Sequence, residues 1–241
     1  MNKPKPGALH LIPVSVGHDD PHYWLPPATQ QQARELTHYI AEKAKTARRF
    51  LKQINTPHEI RDITIHELQR GTRSHEIQTW LDVLKQGQSI GLVSEAGCPA
   101  VADPGAQVVH MAHKLGYRVI PHVGPSSILL GLMASGLNGQ QFVFHGYAPK
   151  QAHARTQQLK QWEQLSRQHQ QTQILIETPY RNQAMLHSLI QSLGDTTRLC
   201  VASALNTANE TVISQSVADW KQQNSYPELD KLPTLFLYLA Q

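Results

Sequence analysis

Two carboxylates, one thiol, two glycines and two prolines fall in a single run of small residues, Ser94-Glu95-Ala96-Gly97-Cys98-Pro99-Ala100-Val101-Ala102-Asp103-Pro104-Gly105. Glu95 and Asp103 supply acceptors, and the small side chains leave backbone amides open. Small residues let a main chain approach a ligand closely, and prolines hold a loop in shape. The run follows Ile90-Gly91-Leu92-Val93, which reads as a buried strand. It precedes Val108, Val109, Ala112 and Leu115, a helical spacing closed by Gly116. A strand, a loop and a helix in that order mark the place where open α/β sheets bind ligands. A tight connection without a ligand has the same composition, and both readings stand at this point. The dinucleotide glycine fingerprint and the phosphate-loop Lys-Ser/Thr pair are both missing, which argues against dinucleotides and nucleoside triphosphates.

The elements that must position this loop are legible on both sides of it. Leu9, Leu11, Ile12 and Val14 predict a first strand, followed by a polar, Pro-rich loop from Gly17 through Pro27 and a solvated run, Gln30-Gln31-Gln32. His38-Tyr39-Ile40-Ala41 predicts a second strand. Ala47, Phe50, Leu51 and Ile54 give a helical stripe that ends before Pro57. Ile60, Ile63 and Ile65 suggest extended chain. Ile77, Trp80, Leu81 and Leu84 have helical spacing with Gly87 as a stop. Arg118-Val119-Ile120-Pro121 reads as a strand, and Pro125 stands where a helix over Ile128 to Met133 begins.

Phe142-Val143-Phe144 is a further strand, and Gly146 through Pro149 reads as a hinge into a second domain. Gln151 to Gln173 predicts an exposed amphipathic helix resting on Leu159, Trp162 and Leu165. Ile174-Leu175-Ile176 is extended. Met185, Leu186, Leu189, Ile190 and Leu193 form a helix ending at Gly194. Leu199-Cys200-Val201, Thr211-Val212-Ile213 and Thr234 to Leu239 are three more strands. The expected fold is α/β in two domains, residues 1–146 and 147–241. The first carries a mainly parallel sheet and the second a mixed one.

Composition sets the outer bounds. The 241 residues hold one large or two small domains with ample core. No apolar stretch is long enough to span a membrane. Met1-Asn2-Lys3-Pro4-Lys5-Pro6-Gly7 is charged but lacks a following apolar region, so no signal peptide is expected. Two cysteines, Cys98 and Cys200, do not make a disulfide framework and fit a reducing cytoplasm. A formal charge of +4 is compatible with an RNA partner. The 14 histidines are scattered without zinc-site spacing, so no metal is expected.

Beyond the first loop, the same stretch contains Val123-Gly124-Pro125-Ser126-Ser127, Ala134-Ser135-Gly136-Leu137, Phe142-Val143-Phe144-His145-Gly146-Tyr147-Ala148-Pro149-Lys150 and Ile176-Glu177-Thr178-Pro179-Tyr180-Arg181. In order and approximate spacing these motifs resemble the tetrapyrrole methylase family, closest to its ribose-methylating branch, the ribosomal RNA small-subunit methyltransferase I group. The resemblance is specific from about Ile90 to Arg181 and looser outside. It implies S-adenosylmethionine as methyl donor, a two-domain fold with the cofactor in the interdomain cleft, and a homodimer.

Carried over residue by residue, it implies that Ser94, Glu95, Ala96, Gly97, Cys98 and Val101 form a first cofactor loop. Ser126 and Ser127 match a second, at a helix start where free amides favour an anion such as the methionine carboxylate. Glu177, Thr178 and Pro179 match a wall from the second domain. A ribose hydroxyl is a poor nucleophile, so a positioned carboxylate or close orientation can help remove its proton. Glu42 matches the family's acidic position, and Lys43, Lys45, Arg48, Arg49 and Arg181 are the cations expected to meet RNA phosphates. A solvated helix face is the competing reading of the basic run.

Three departures from the family pattern concern the acceptor. The glycine turn after the first strand is replaced by Pro13-Val14-Ser15-Val16-Gly17-His18. The family's aspartate and arginine near Glu42 become Lys43 and Lys45. A basic block of the second domain becomes Ser203-Ala204-Leu205-Asn206-Thr207-Ala208 followed by Glu210. The leading expectation is therefore an S-adenosylmethionine-dependent methyltransferase acting on RNA. A small-molecule or tetrapyrrole acceptor, and a catalytically silent cofactor- or RNA-binding relative, are the alternatives.

Overall fold

Strand and helix alternate through most of the chain in a computed structural model that describes residues 5–241. Residues 1–4, where the basic N-terminal stretch begins, lie outside the described residues. The chain divides into two units, Met1–Ser126 and Ser127–Gln241.

In the first unit β1 (Ala8–Leu11), β2 (His38–Ala41), β3 (Thr64–Glu67), β4 (Ile90–Val93) and β5 (Arg118–Pro121) alternate with α1 (Pro27–Arg34), α2 (Ala44–Gln53), α3 (Ser74–Leu81) and α4 (Ala106–Lys114). The strands form one parallel sheet in the order β3-β2-β4-β1-β5. Side chains alternate across a strand, so neighbours part to opposite faces. Tyr39, Ala41 and Val93 join Phe50 and Leu51 of α2 in one core. Leu9, Ile40, Ile90 and Leu92 join Ile77, Leu81 and Val108 in the other. Both faces are covered, as parallel sheets require.

Helix α1 was not legible as a helix. Pro27 occupies its first turn, where a missing amide does no harm, and Thr29 and Ala33 are its only buried residues. The Gln30-Gln31-Gln32 run therefore lies inside a helix with no apolar period to reveal it. Helix α2 buries Ala44, Ala47, Phe50 and Leu51, which turns Lys45, Arg48 and Arg49 outward.

The second unit holds α5 (Ser127–Ser135), β6 (Phe142–Tyr147), α6 (Ala152–His169), β7 (Thr172–Ile176), α7 (Asn182–Ser192), β8 (Arg198–Ser203), β9 (Thr211–Ser216), α8 (Val217–Gln222) and β10 (Thr234–Leu239). Its sheet runs β6-β7-β10-β8-β9 and is mixed. Only β6 and β7 pair in parallel.

The expected boundary after Gly146 falls inside β6, and the division between units lies earlier, at Ser126. The reason is pairing: Phe142 to Tyr147 bond to β7, and Gly146, at φ +69°, sits where the β6 register shifts. Its glycine marks a bulge rather than a hinge. Helix α6 also differs in detail. It buries Leu159, Glu163 and Ser166, whereas Leu165 is 38% exposed. Glu163 is buried because it accepts hydrogen bonds from the Gly194 amide at 2.8 Å and from Thr197 Oγ1.

Candidate functional site

The chain leaves β1 toward β2 and leaves β4 toward β5, so adjacent strands β1 and β4 send their connections to opposite sides of the sheet. That reversal opens a crevice at the carboxyl ends of the two strands. The segment from Ser94 to Gly105 begins there.

Loops from three other strands meet on it. After β1, the amide of Val14 donates to the Gly97 carbonyl at 3.0 Å, and the Gly97 amide donates back at 3.2 Å. After β2, Glu42 Oε1 accepts from the Glu95 amide at 3.4 Å. After β5, the Pro125 carbonyl accepts from Cys98 Sγ at 3.3 Å. Buried Ser94 closes the turn itself, its Oγ donating to the carbonyls of Ala96 and Gly97, each at 3.1 Å. Burial pushes the Cys98 thiol up, so it remains a neutral donor rather than a nucleophile.

Asp103 braces the second half of the segment. Both its oxygens accept from the Ala100 amide at 3.0 Å, and Oδ1 accepts from the Gly105 amide at 2.6 Å. Burial raises this carboxyl; the two amides oppose the rise, and the charge of Glu42 adds to it. Ala100 and Ala102 sit at φ +66° and +62°, where a side chain is disfavoured by about 1–2 kcal/mol each. A Cβ on Gly105 would lie 2.7 Å from Asp103 Oδ1, so the brace requires glycine there. Val101, at the tip between the two alanines, is 49% exposed.

Glu95 points toward α2. Its Oε2 meets Lys43 Nζ at 3.1 Å and Thr46 Oγ1 at 3.2 Å, while Oε1 is enclosed without a partner. Glu95 in turn raises the Lys43 ammonium. Lys43 is thus tied to a member of the expected cofactor loop. Among the described residues, Lys45, Arg48 and Arg49 are exposed and make no ion pair.

In the second unit Glu177 is buried and bonded to Arg181 and to the Thr178 amide at 2.6 Å, and Arg181 Nε donates to Thr178 Oγ1 at 3.1 Å. Arg181, expected to be a phosphate contact, spends its charge on Glu177. Ser126 follows Pro125, and Ser127 opens α5.

Residues 11–220 match the sequence profile of the tetrapyrrole (corrin/porphyrin) methylases. The chain belongs to the tetrapyrrole methylase family. It is an S-adenosylmethionine-dependent methyltransferase. Ribosomal RNA small subunit methyltransferase I of Xylella fastidiosa is 30% identical over 218 residues, which cover 90% of this chain and 76% of that protein. The protein of the same name from Synechocystis sp. is 32% identical over 206 residues, 85% of this chain and 69% of the relative. The fold is that of solved family members: the methyltransferase CobJ superposes with a TM-score of 0.64 at 15% identity, covering 97% of this chain and 94% of CobJ. Uroporphyrin-III-C-methyltransferase from Thermus thermophilus gives 0.53 at 14% identity, covering 96% and 91%.

Asp103 was legible only as an available acceptor; its partners, Ala100 and Gly105, consume it. The expected cofactor loop therefore depends on a brace, and this can be tested. Asp103→Ala removes contacts worth about 1.5–3 kcal/mol each to a charged acceptor and frees two strained alanines. We expect affinity for S-adenosylhomocysteine to fall about tenfold or more. Global stability should fall by less than the sum of those contacts, because a desolvated carboxylate leaves with the brace. Calorimetry and urea unfolding measure the two effects. Unchanged affinity would show that the loop keeps its shape without Asp103.

Residues that the sequence motifs did not single out also border the site. Asp19 and Gln53 line a pocket beside Glu95 and Ala96. Gln53 Nε2 donates to Asp19 at 3.2 Å (main-chain carbonyl) and 3.4 Å (Oδ1). Gln53 lies four residues beyond Arg49 on α2, a spacing that shares one helix face.

Proposed function

We propose that this methyltransferase acts on RNA, with ribosomal RNA as the first substrate to test. The observation that carries the reading is the 30% identity, over 90% of the chain, to a relative named for methylation of small-subunit ribosomal RNA. Exposed Arg48 and Arg49, which form no ion pair among the described residues, supply on the helix that follows β2 the chemistry that phosphates need.

For the methyl donor we assign Ser94, Glu95, Ala96, Gly97, Cys98, Val101 and Ser126. Their small size, the left-handed glycine at 97 and the uncovered apolar tip at Val101 suit a ligand with amide-binding and apolar parts. For Ser127, Glu177, Thr178 and Pro179 the support is their match to the family motifs. When bound, the donor supplies an electrophilic methyl on sulfur. The chain's part is to orient the acceptor and keep competing nucleophiles away. Glu42, beside the Glu95 amide, is the carboxylate assigned to orient or deprotonate the acceptor hydroxyl. Glu42→Gln should lower methyl transfer more than RNA affinity, and an equal loss of both would remove it from that role. A homodimer in the cytoplasm is the proposed working form; sedimentation as a monomer well above micromolar concentration would overturn the dimer.

Phosphate contacts release counterions, so their loss is read in salt. With single strands each contact contributes about 0.7 to the slope of log affinity against log salt, so Arg48→Ala/Arg49→Ala together should reduce it by about 1.4. RNA affinity should fall while S-adenosylhomocysteine affinity stays within about twofold, since neither guanidinium is assigned to the donor. A double variant with the parent's affinity and salt slope would remove this helix from the RNA interface.

A further inference from the structure

A pocket of about 260 Å³ opens in the first unit, between the loop after β1, the face of α2 and the start of the Ser94–Gly105 segment. Val14, Ser15 and Val16, from the segment that departs from the family pattern after β1, meet Thr46 and Arg49 of α2 there. The volume is below the roughly 300–1,000 Å³ of pockets that take drug-sized ligands, so it admits a single ring system rather than a whole cofactor.

The lining narrows the class of ring. Val14, Val16 and Phe50 give it apolar surface. Arg49 brings a guanidinium that no carboxylate neutralises among the described residues. Asp19 brings an acceptor, held toward α2 by Gln53. Glu95 adds a second carboxylate to the lining. A tetrapyrrole is too large for this space, and the carboxylates typical of such rings would face Asp19 and Glu95. A nucleobase matches on every count: flat apolar faces, an edge with N–H donors, and a phosphate nearby for Arg49.

We propose that this pocket seats one unstacked base of the RNA strand, with Asp19 accepting from its edge and Arg49 holding an adjoining phosphate. The inference rests on the RNA reading above and adds to it a base-selecting subsite. Proteins that read RNA sequence do so on splayed, single-stranded bases, and an enclosed pocket with a polar rim is the form such reading takes.

The test uses the full-length protein saturated with S-adenosylhomocysteine. The probes are the four nucleoside 5′-monophosphates and the corresponding nucleosides, with binding followed by NMR. At least one monophosphate should bind saturably, with a ranking among the four bases. Val16→Phe, which fills the pocket, should abolish that binding. Arg49→Ala should erase the preference for monophosphate over nucleoside, about tenfold or more for one charged contact. Asp19→Asn, a change at an exposed residue that the fold tolerates, should alter the ranking of the bases, which a merely structural role would not do. Methyl transfer to RNA is measured alongside. If the parent methylates RNA but no monophosphate binds, or if binding and ranking survive in both Val16→Phe and Asp19→Asn, the subsite is wrong while the RNA reading stands. If the parent methylates no RNA in any form, including assembled ribosomal subunits, the RNA reading fails and the subsite with it.

Discussion

Replacing Gly97 with phenylalanine should abolish binding of S-adenosylmethionine and S-adenosylhomocysteine in a protein that still folds. Gly97 sits at φ +70°, in the left-handed region where a side chain is strained. A Cβ there would lie 3.4 Å from Val16 Cγ1 and 3.6 Å from the Pro125 carbonyl. The methyl position alone is tolerable. A phenyl ring beyond it must push the loop after β1 away from the loop after β5. It would break the Val14–Gly97 pair and the Cys98–Pro125 contact that hold the segment. Strain and overpacking of this kind destabilise by about 1–3 kcal/mol, against a total of roughly 5–15 kcal/mol for a domain. The sheet should therefore survive, with affinity reduced by more than about a hundredfold because the donor loop is displaced. Circular dichroism checks the fold and calorimetry the affinity. A folded Gly97→Phe variant with the parent's affinity would place the donor elsewhere.

Mild acid should destabilise the protein between about pH 6.5 and pH 4. His10 on β1 is buried, and its Nδ1 lies 2.8 Å from Nε2 of His122, so the pair shares one proton. Burial, then the charges of His122 and Arg118, push His10 down to about 4. Burial also lowers His38, His66, His122 and His145. In the unfolded chain these rings titrate near their ordinary 6.5, so below that pH the unfolded state binds more protons. Stability is then full above about 6.5 and is lost as pH falls toward about 4. His10 alone removes about 3 kcal/mol across that window, and the other rings act in the same sense. Asp103, whose carboxyl is raised, works the other way but is a single group. Urea midpoints at pH 7.5 and 4.5 should differ accordingly, and His10→Asn should flatten the difference. Equal midpoints at the two pH values would mean that the buried rings can be protonated in place.

Local patterns carried the fold a long way. β4 is an apolar run between two serines and β5 a short β-branched pair closed by proline, and both were readable to the residue. The failures are long-range. Phe142 to Gly146 read as the end of the first domain because nothing nearby says that their strand pairs with Thr172 to Ile176. Helix α8, with a capping box between Ser216 and Asp219, was hidden by its brevity. The loop at Ser94 was legible as a site through its small residues, but its partners were not. Lys43 lies 52 positions from Glu95, and His10 lies 112 from His122. No local pattern reports a pairing at that distance. Asp19 and Gln53, neither in any motif, enter the pocket only because α2 and the loop after β1 fold over one another.

The most direct measurement is methyl transfer from labelled S-adenosylmethionine to fractionated cell material: total RNA, ribosomal subunits, protein and small molecules. An RNA methyltransferase predicts label in RNA or ribosomal subunits, resistant to alkali as a 2′-O-methyl group is, with little in the small-molecule fraction. Label confined to small molecules, with RNA and subunits unmodified, would contradict it and assign the enzyme to a different acceptor.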